Sequence, residues 1–274
     1  MALTAAGIDN SRFEARLLLA RASDLTVEDL VSRGRDEVPP EAAETLRALT
    51  ARRVQREPMA YILGEREFWG RPFKVTPDVL VPRADSETVI EAALGLFPDR
   101  LRMLRVLDLG VGSGCLLITL LAEYAVASGV GFDVSLEAIA VARETASALG
   151  VADRVRWVAG DWRRPGWAEK LGGRFDLVVC NPPYIEAAAI AGLMPEVGKF
   201  EPKLALDGGP DGLAAYRDIA AVAARLLAPG GLLLVEVGEG QALAVKGLFA
   251  AAGLQHQGLW RDLGGIERVV AAGQ

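Results

Sequence analysis

The chain of 274 residues is poor in the side chains that metal, disulfide and imidazole chemistry require, with one histidine, His256, and two cysteines, Cys115 and Cys180. His256 stands late in the chain, far from every motif described below, and is read as a surface or packing residue. Cys115 falls at the start of a predicted helix and Cys180 at the end of a predicted strand. Both are therefore expected as small buried hydrophobes in a reducing compartment, and no metal cofactor is expected. Positive charge is also scarce: 30 Lys+Arg face 36 Asp+Glu, for a formal net charge of −6 and a pI near 5.1. Phosphate neutralisation supplies most affinity for duplex nucleic acid, so no direct nucleic-acid substrate is expected. The cluster Arg47, Arg52, Arg53 and Arg56 is a local exception, read as a solvated helix face. Apolar runs are too short to cross a bilayer, and Asp9, Arg12, Glu14, Arg16, Arg21 and Asp24 interrupt any signal-peptide core. No targeting segment or membrane partner is expected, and the cytoplasm is the expected location. Internal repeats, low-complexity runs and heptad arrays are absent from the sequence.

What is present is an ordinary globular composition, 51% hydrophobic and 24% charged, in a chain long enough for one large domain and one small one. The first part reads as helices. Asp9 or Asn10 can cap a helix through Ala20, Thr26 with Asp29 gives an approximate capping box, and Pro39-Pro40 opens a periodic stretch to Arg56. Residues 68–75 and 79–81 suggest a hairpin or paired linker before a helix starting near Asp85. Strands are then predicted at 104–109, 130–133, 155–159, 175–180, 231–237, 254–260 and 266–272, with helices between most of them. The Gly264-Gly265 turn makes the last two an antiparallel hairpin. Ile185 to Asp211, rich in Ala, Gly and Pro without a period, reads as a substrate-facing loop.

The most informative stretch is Asn181-Pro182-Pro183-Tyr184, which ends the apolar run Phe175 to Cys180 and so sits where open α/β sheets present chemistry. Two prolines remove two backbone donors and fix two φ angles, leaving a rigid turn rich in acceptors. Asn181 adds a side-chain oxygen and Tyr184 a ring face. A planar NH2 suits such a loop: its lone pair is conjugated, and it becomes a nucleophile only when its hydrogens are held and its orbital is aimed.

Earlier, the strand Arg105 to Leu109 leads into Gly110-Val111-Gly112-Ser113-Gly114 and then a helical run from Cys115 to Glu123. Glycines let backbone approach a ligand closely, and a helix N-terminus favours an anionic group. The third glycine of a dinucleotide fingerprint would have to stand where Cys115 is, and the residues after Gly114 include no Walker lysine, so nicotinamide and triphosphate ligands are disfavoured. Val130-Gly131-Phe132-Asp133 places a carboxylate at the next strand end, where such a residue grips ribose hydroxyls. Asp161 and Trp162, after the strand ending at Ala159, offer an acceptor for an adenine amine and an indole to flank the ring. These four features follow one another at successive strand ends.

In these stretches the chain resembles the PrmC (HemK) family, bacterial protein-(glutamine-N5) methyltransferases acting on class I peptide chain release factors in translation termination. The resemblance runs from about Tyr61 to Glu267. It rests on Tyr61-Ile62-Leu63-Gly64 with Glu67-Phe68-Trp69, Val81 to Glu87, Asp108 to Gly114, Asn181 to Tyr184, and Phe200 to Leu206. Within Val81 to Glu87, Ala84 and Ser86 replace a proline and a threonine usual in the family. The resemblance implies an α/β fold, the class I S-adenosylmethionine-dependent methyltransferase with a Rossmann-like seven-stranded sheet and a small N-terminal helical bundle. It also implies a release-factor-recognition domain at 1–66, a hairpin or linker at 67–84 and a methyltransferase domain at 85–274. S-adenosyl-L-methionine would lie with its methionine end on Gly110 to Gly114, its ribose on Asp133 and its adenine near Asp161 and Trp162, and would leave as S-adenosyl-L-homocysteine. The substrate glutamine would have its amide hydrogens held by the Asn181 oxygen and the Pro182 carbonyl, beside Pro183, with Tyr184 packed on the amide plane. No general base is required, since the methyl sulfonium is already an activated electrophile. A glutamine methyltransferase of a ribosomal protein, an amine methyltransferase of nucleic-acid bases, and a non-catalytic adenosylmethionine sensor are the competing readings.

Overall fold

The computed structural model describes residues 1–274. Two compact units divide the chain, Met1–Glu65 with Leu193–Phe200, and Arg66–Gly192 with Glu201–Gln274.

The first unit is helical, with helices at Ala2–Ala5, Ser11–Ser23, Val27–Ser32, Pro40–Val54 and Met59–Leu63. Proline at the first position of the long helix costs nothing, because the N–H it lacks has no partner there. Thr26 and Asp29 complete a reciprocal capping box, the Thr26 hydroxyl accepting from the Asp29 N–H and the Asp29 carboxylate from the Thr26 N–H, both at 3.0 Å. Asn10 precedes its helix but makes no side-chain cap. Leu3, Ile8, Leu18 and Ile62 form a small core. The arginine cluster departs from expectation. Arg53 is buried, with its guanidinium shared between Glu14 at 2.6 Å and Glu196 at 2.9 Å, and Arg56 pairs with Glu196. Arg53 and Arg56 are therefore not part of a solvated face, whereas Arg47 and Arg52 are exposed as expected. The partners of Arg53 lie at sequence separations of 39 and 143 residues, which no local periodicity reveals.

The second unit is built on a seven-stranded sheet. A short hairpin precedes it, β1 (Glu65–Phe68) and β2 (Arg71–Lys74), turned by Trp69 and Gly70, both at positive φ. Residues 79–81, expected to extend this hairpin, form no strand. A turn at Ala84–Ser86 leads into the helix Glu87–Leu96. The sheet strands are β3 (Arg105–Leu109), β4 (Ser128–Asp133), β5 (Val155–Ala159), β6 (Phe175–Cys180), β7 (Leu227–Glu236), β8 (Gln255–Arg261) and β9 (Glu267–Gly273). Their order is β5-β4-β3-β6-β7-β9-β8; the first five run parallel, and β9 pairs antiparallel with both β7 and β8. Strand β7 begins earlier than predicted because Leu227 pairs with Phe175 before the register shifts to Leu232 opposite Leu177, with an irregularity of the strand between the two pairs.

Alternate residues of the central strands feed two cores, as a sheet covered on both faces requires. Val106, Leu177 and Val179 pack on one side, and Leu107, Leu109, Val178 and Cys180 on the other. The chain winds outward in opposite senses from β3 and β6, so the sheet reverses between them, and the crevice beyond their carboxyl ends is the place where such folds receive ligands. The residues at that crevice are Gly110 after β3 and Asn181 after β6. The segment 185–211 is more ordered than its composition suggested, with helical turns at Ala187–Gly192, Pro195–Gly198 and Lys203–Ala205 and a bridge from Ile185 to Asp207.

Candidate functional site

One wall of the crevice cavity is made largely of backbone. Gly110, Gly112 and Gly114 all take left-handed φ angles of 75°, 52° and 83°, a conformation that costs an L-residue about 1–2 kcal/mol. Space is short as well: a Cβ on Gly114 would stand 2.6 Å from the Ile118 side chain, and one on Gly110 would press on the Trp162 ring at 3.2 Å. Asp133, at the end of β4, ties this turn down, its carboxylate accepting from the N–H of Gly112 and of Ser135, each at 2.9 Å. Burial raises its pKa, against those backbone donors. Asp108, in β3, is deeper. One of its oxygens accepts from the Leu117 N–H at 3.2 Å, and the other, Oδ1, is buried without a partner. Burial, with the nearby charge of Asp133, pushes the Asp108 carboxyl up to about 7. An acceptor stripped of water and left unmatched is costly unless a ligand completes it.

Asp161 and Trp162 complete this side. Both line the cavity, but Asp161 is already engaged, its two oxygens accepting from Arg163 Nε at 2.8 Å and Nη2 at 2.9 Å. The Arg163 guanidinium holds the Asp161 carboxyl below its usual range.

The opposite wall is made of side chains. Asn181 Nδ2 donates to Ser86 Oγ at 3.0 Å, Ser86 Oγ donates to Glu236 Oε2 at 2.5 Å, and the Tyr184 hydroxyl donates to Glu236 Oε1 at 3.2 Å. The Tyr184 carbonyl accepts from Gln241 Nε2 at 3.0 Å, and Gly212 packs so closely that a Cβ there would lie 2.4 Å from that same carbonyl oxygen. The loop is thereby clamped from behind. Burial pushes Glu236 up to about 7, against the hydrogen bonds from Ser86 and Tyr184 and the charge of Arg268. Arg83, on the cavity rim, donates to buried Glu201 at 2.6 Å, which also accepts from the Val81 N–H.

The cavity brings together Gly110, Val111, Gly112, Ser113, Asp133, Asp161, Trp162, Asn181 and Pro183. Gly114, Pro182 and Tyr184 are not among its walls: Gly114 caps the helix behind the turn, Pro182 is buried, and the Tyr184 hydroxyl is turned to Glu236. Asp108, Ser86 and Glu236 escaped the sequence reading as site residues. Glu236 did carry a signal, since a carboxylate that closes the apolar run Leu232 to Val235 must either be solvated at a strand end or be satisfied by donors folded against it. His256 is exposed on β8, the edge strand. Cys180 is buried, its thiol donating to the Leu109 carbonyl at 2.9 Å, and burial pushes the Cys115 thiol up to about 12. No group of His, Cys, Asp and Glu side chains is arranged to hold a metal ion, and no helix is long and apolar enough to cross a membrane.

Comparison with known proteins adds sequence to this geometry. A family model described as the PrmC N-terminal domain matches residues 1–64, and a methyltransferase small domain matches residues 88–195. Release factor glutamine methyltransferase of Cereibacter sphaeroides is 47% identical over 98% of this chain and 94% of its own length. The proteins of that name from Caulobacter vibrioides and Rhodospirillum rubrum are 45% and 44% identical, over 97% and 98% of this chain and 90% and 81% of their own lengths. Among solved structures, the hMettl16 catalytic domain in complex with an RNA hairpin superposes with a TM-score of 0.59 at 16% identity, covering 85% of this chain and 81% of that one. A methyltransferase of Pyrococcus furiosus superposes with a TM-score of 0.51 at 17% identity, covering 84% of this chain and 98% of that one. At such identities the two structures speak to the methyltransferase fold alone.

Proposed function

The chain belongs to the release factor glutamine methyltransferase family, and from that premise we propose that it methylates the side-chain amide nitrogen, N5, of the glutamine in the Gly-Gly-Gln motif of class I peptide chain release factors. S-adenosyl-L-methionine is the donor and S-adenosyl-L-homocysteine the product. The observation that carries the reading is that one cavity at the sheet's reversal joins a backbone-built wall of anion- and hydroxyl-binding type to the Asn181 loop.

The residues of the first wall fit the donor. The unpartnered Oδ1 of Asp108 suits an ammonium group, the glycine turn offers backbone at positive φ with no side chain at Gly110 or Gly112, and Asp133 keeps free lone pairs for two ribose hydroxyls after accepting two backbone N–H groups. Trp162 offers its indole to the adenine, and Asp161 retains acceptor capacity beside Arg163. Bound there, the donor supplies an electrophilic methyl group on a sulfonium. The protein's own part is alignment. Asn181 spends its Nδ2 on Ser86, which leaves Oδ1 to accept from the substrate amide, while Pro182 and Tyr184, outside the cavity walls, hold the loop that presents it. An amide nitrogen so held points its weak lone pair at the methyl, and alignment of that kind is worth as much as ~7–11 kcal/mol in favourable systems. No side chain need remove a proton first, since the nitrogen loses its proton after the bond to carbon forms.

In this reading the helical region, residues 1–66, recognises the release factor, residues 67–84 form a hairpin and linker, and residues 85–274 carry the chemistry. The cytoplasm is the proposed compartment. Mass spectrometry of a release factor incubated with the protein and isotopically labelled S-adenosyl-L-methionine tests the proposal: one added methyl on the motif glutamine is expected. Label on a ribosomal protein or on RNA, with none on the release factor, would contradict it.

A further inference from the structure

We propose that Ser86 and Glu236 are positioning residues for methyl transfer, holding the Asn181 carboxamide in the single orientation that turns its oxygen toward the substrate amide. The inference rests on the reading of the site given above and extends it to two residues outside the Asn181 loop.

The direction of the hydrogen bonds carries the argument. Glu236 is 1% exposed, and as a carboxylate it only accepts. It takes two donors, the Ser86 hydroxyl at 2.5 Å and the Tyr184 hydroxyl at 3.2 Å. The one proton of Ser86 is thereby committed to Glu236, so the serine oxygen facing Asn181 has only lone pairs to offer. It accepts from Asn181 Nδ2 at 3.0 Å. Rotating the carboxamide by half a turn would set Oδ1 against that oxygen, two acceptors with no proton between them, and would present an NH2 to the substrate's own N–H groups. A buried carboxylate thus fixes, through one hydroxyl, which atom of Asn181 meets the substrate. Ser86 closes the turn Ala84–Ser86, which sets its hydroxyl between Asn181 and Glu236.

Protonation of Glu236 would break this logic. A neutral carboxyl can donate to Ser86, which frees the serine proton toward Asn181 and permits the wrong orientation. The groups around Glu236 are Arg268 and Asp85, which act by charge, the hydroxyls of Tyr184 and Tyr216, the latter on its backbone carbonyl at 2.9 Å, and the thiols of half-buried Cys115 and buried Cys180. Arg268 favours the charged form and Asp85 opposes it, while burial pushes Glu236 up to about 7. The relay therefore engages as pH rises through neutrality.

Single-turnover methylation of a release factor at saturating S-adenosyl-L-methionine tests this. Ser86→Ala and Glu236→Gln are expected to lose roughly 10-fold or more in rate, with donor affinity unchanged and Ser86→Thr near wild type. The wild-type rate is expected to rise with pH around 7, and that rise to vanish in Glu236→Gln. In an Asn181→Ala background, Ser86→Ala is expected to cost less than about 2-fold more, because its effect acts through Asn181. A wild-type rate for Ser86→Ala, or full additivity with Asn181→Ala, overturns the proposal while leaving the methyltransferase reading intact. A wild-type protein that labels no release-factor glutamine overturns that reading and this proposal with it.

Discussion

The two walls of the cavity are built from different materials. The Gly110–Gly114 side is backbone held at positive φ and pinned by Asp133, with few rotatable bonds near the ligand. The Asn181 side is a chain of side-chain hydrogen bonds that ends on a buried carboxylate. A backbone cradle suits a ligand that must be bound the same way each time. A side-chain relay suits an acceptor that must be oriented, because the polarity of each hydrogen bond carries information that shape alone lacks. Damage to the first wall should appear as lost donor affinity, and damage to the second as lost turnover.

The largest effect expected is from Asn181→Ala, with roughly 10²-fold or more lost in kcat, by analogy with removal of one preorganised polar group at a reacting centre. Calorimetry with S-adenosyl-L-methionine should show little change. Asn181→Asp sharpens the contrast, since it keeps an acceptor but places a negative charge beside the sulfonium: it should bind donor at least as well as the alanine variant and still methylate slowly.

Next in size is Asp133→Ala, which removes a charged acceptor for two hydroxyls and should weaken donor binding by ~1.5–3 kcal/mol per hydrogen bond before water compensates. Unchanged affinity in a folded variant, measured by the same calorimetry, would reduce Asp133 to a brace for the Gly112 N–H.

Gly212→Ala probes the clamp behind Tyr184. Gly212 has φ +70° and so does Gly150, but a Cβ at Gly212 would lie 2.4 Å from the Tyr184 carbonyl oxygen while one at Gly150 meets nothing within 4 Å. Both should lose about 1–2 kcal/mol of stability from the backbone conformation, with Gly212→Ala losing more and also slowing turnover. Equal losses in denaturant melts and equal turnover would show that the contact with the Asn181 loop is irrelevant.

A further test reads stability against pH. Burial raises both Asp108 and Glu236 to about 7, above the carboxylate values of an unfolded chain. The folded state then holds protons that the unfolded chain has released. The stability these groups lend is complete below the unfolded pKa and is lost as pH rises to about 7. Melts of the protein without donor should fall from pH 5 to pH 8 by at most ~1.4 kcal/mol per pKa unit per group, and Asp108→Asn should flatten the slope. A slope of the opposite sign would mean that neither carboxyl is raised.

Much of this was legible because it is local. The strands β3 to β6 follow from short apolar runs ended by Gly, Asp or Asn, and the glycine turn and the Asn-Pro-Pro-Tyr loop announce themselves by spacing. Asp108, Ser86 and Glu236 were not legible as site residues, because what makes them matter is a donor or its absence at the far end of a long-range contact; Ser86 and Glu236 are 150 residues apart. The solvated reading of Arg53 and Arg56 failed for the same reason, since Glu196 lies 143 residues from Arg53. Leu193–Phe200, which reads as part of one loop, packs as a piece of the helical unit, and no composition shift marks that return.

The division of labour between the walls is tested most directly by single-turnover methylation of a release factor as donor concentration is raised, with Asp133→Ala and Asn181→Ala run in parallel. The account predicts that Asp133→Ala climbs back toward the wild-type rate once the donor saturates, while Asn181→Ala reaches its plateau at ordinary donor concentrations and stays roughly 10²-fold low. A near wild-type plateau for Asn181→Ala would contradict it.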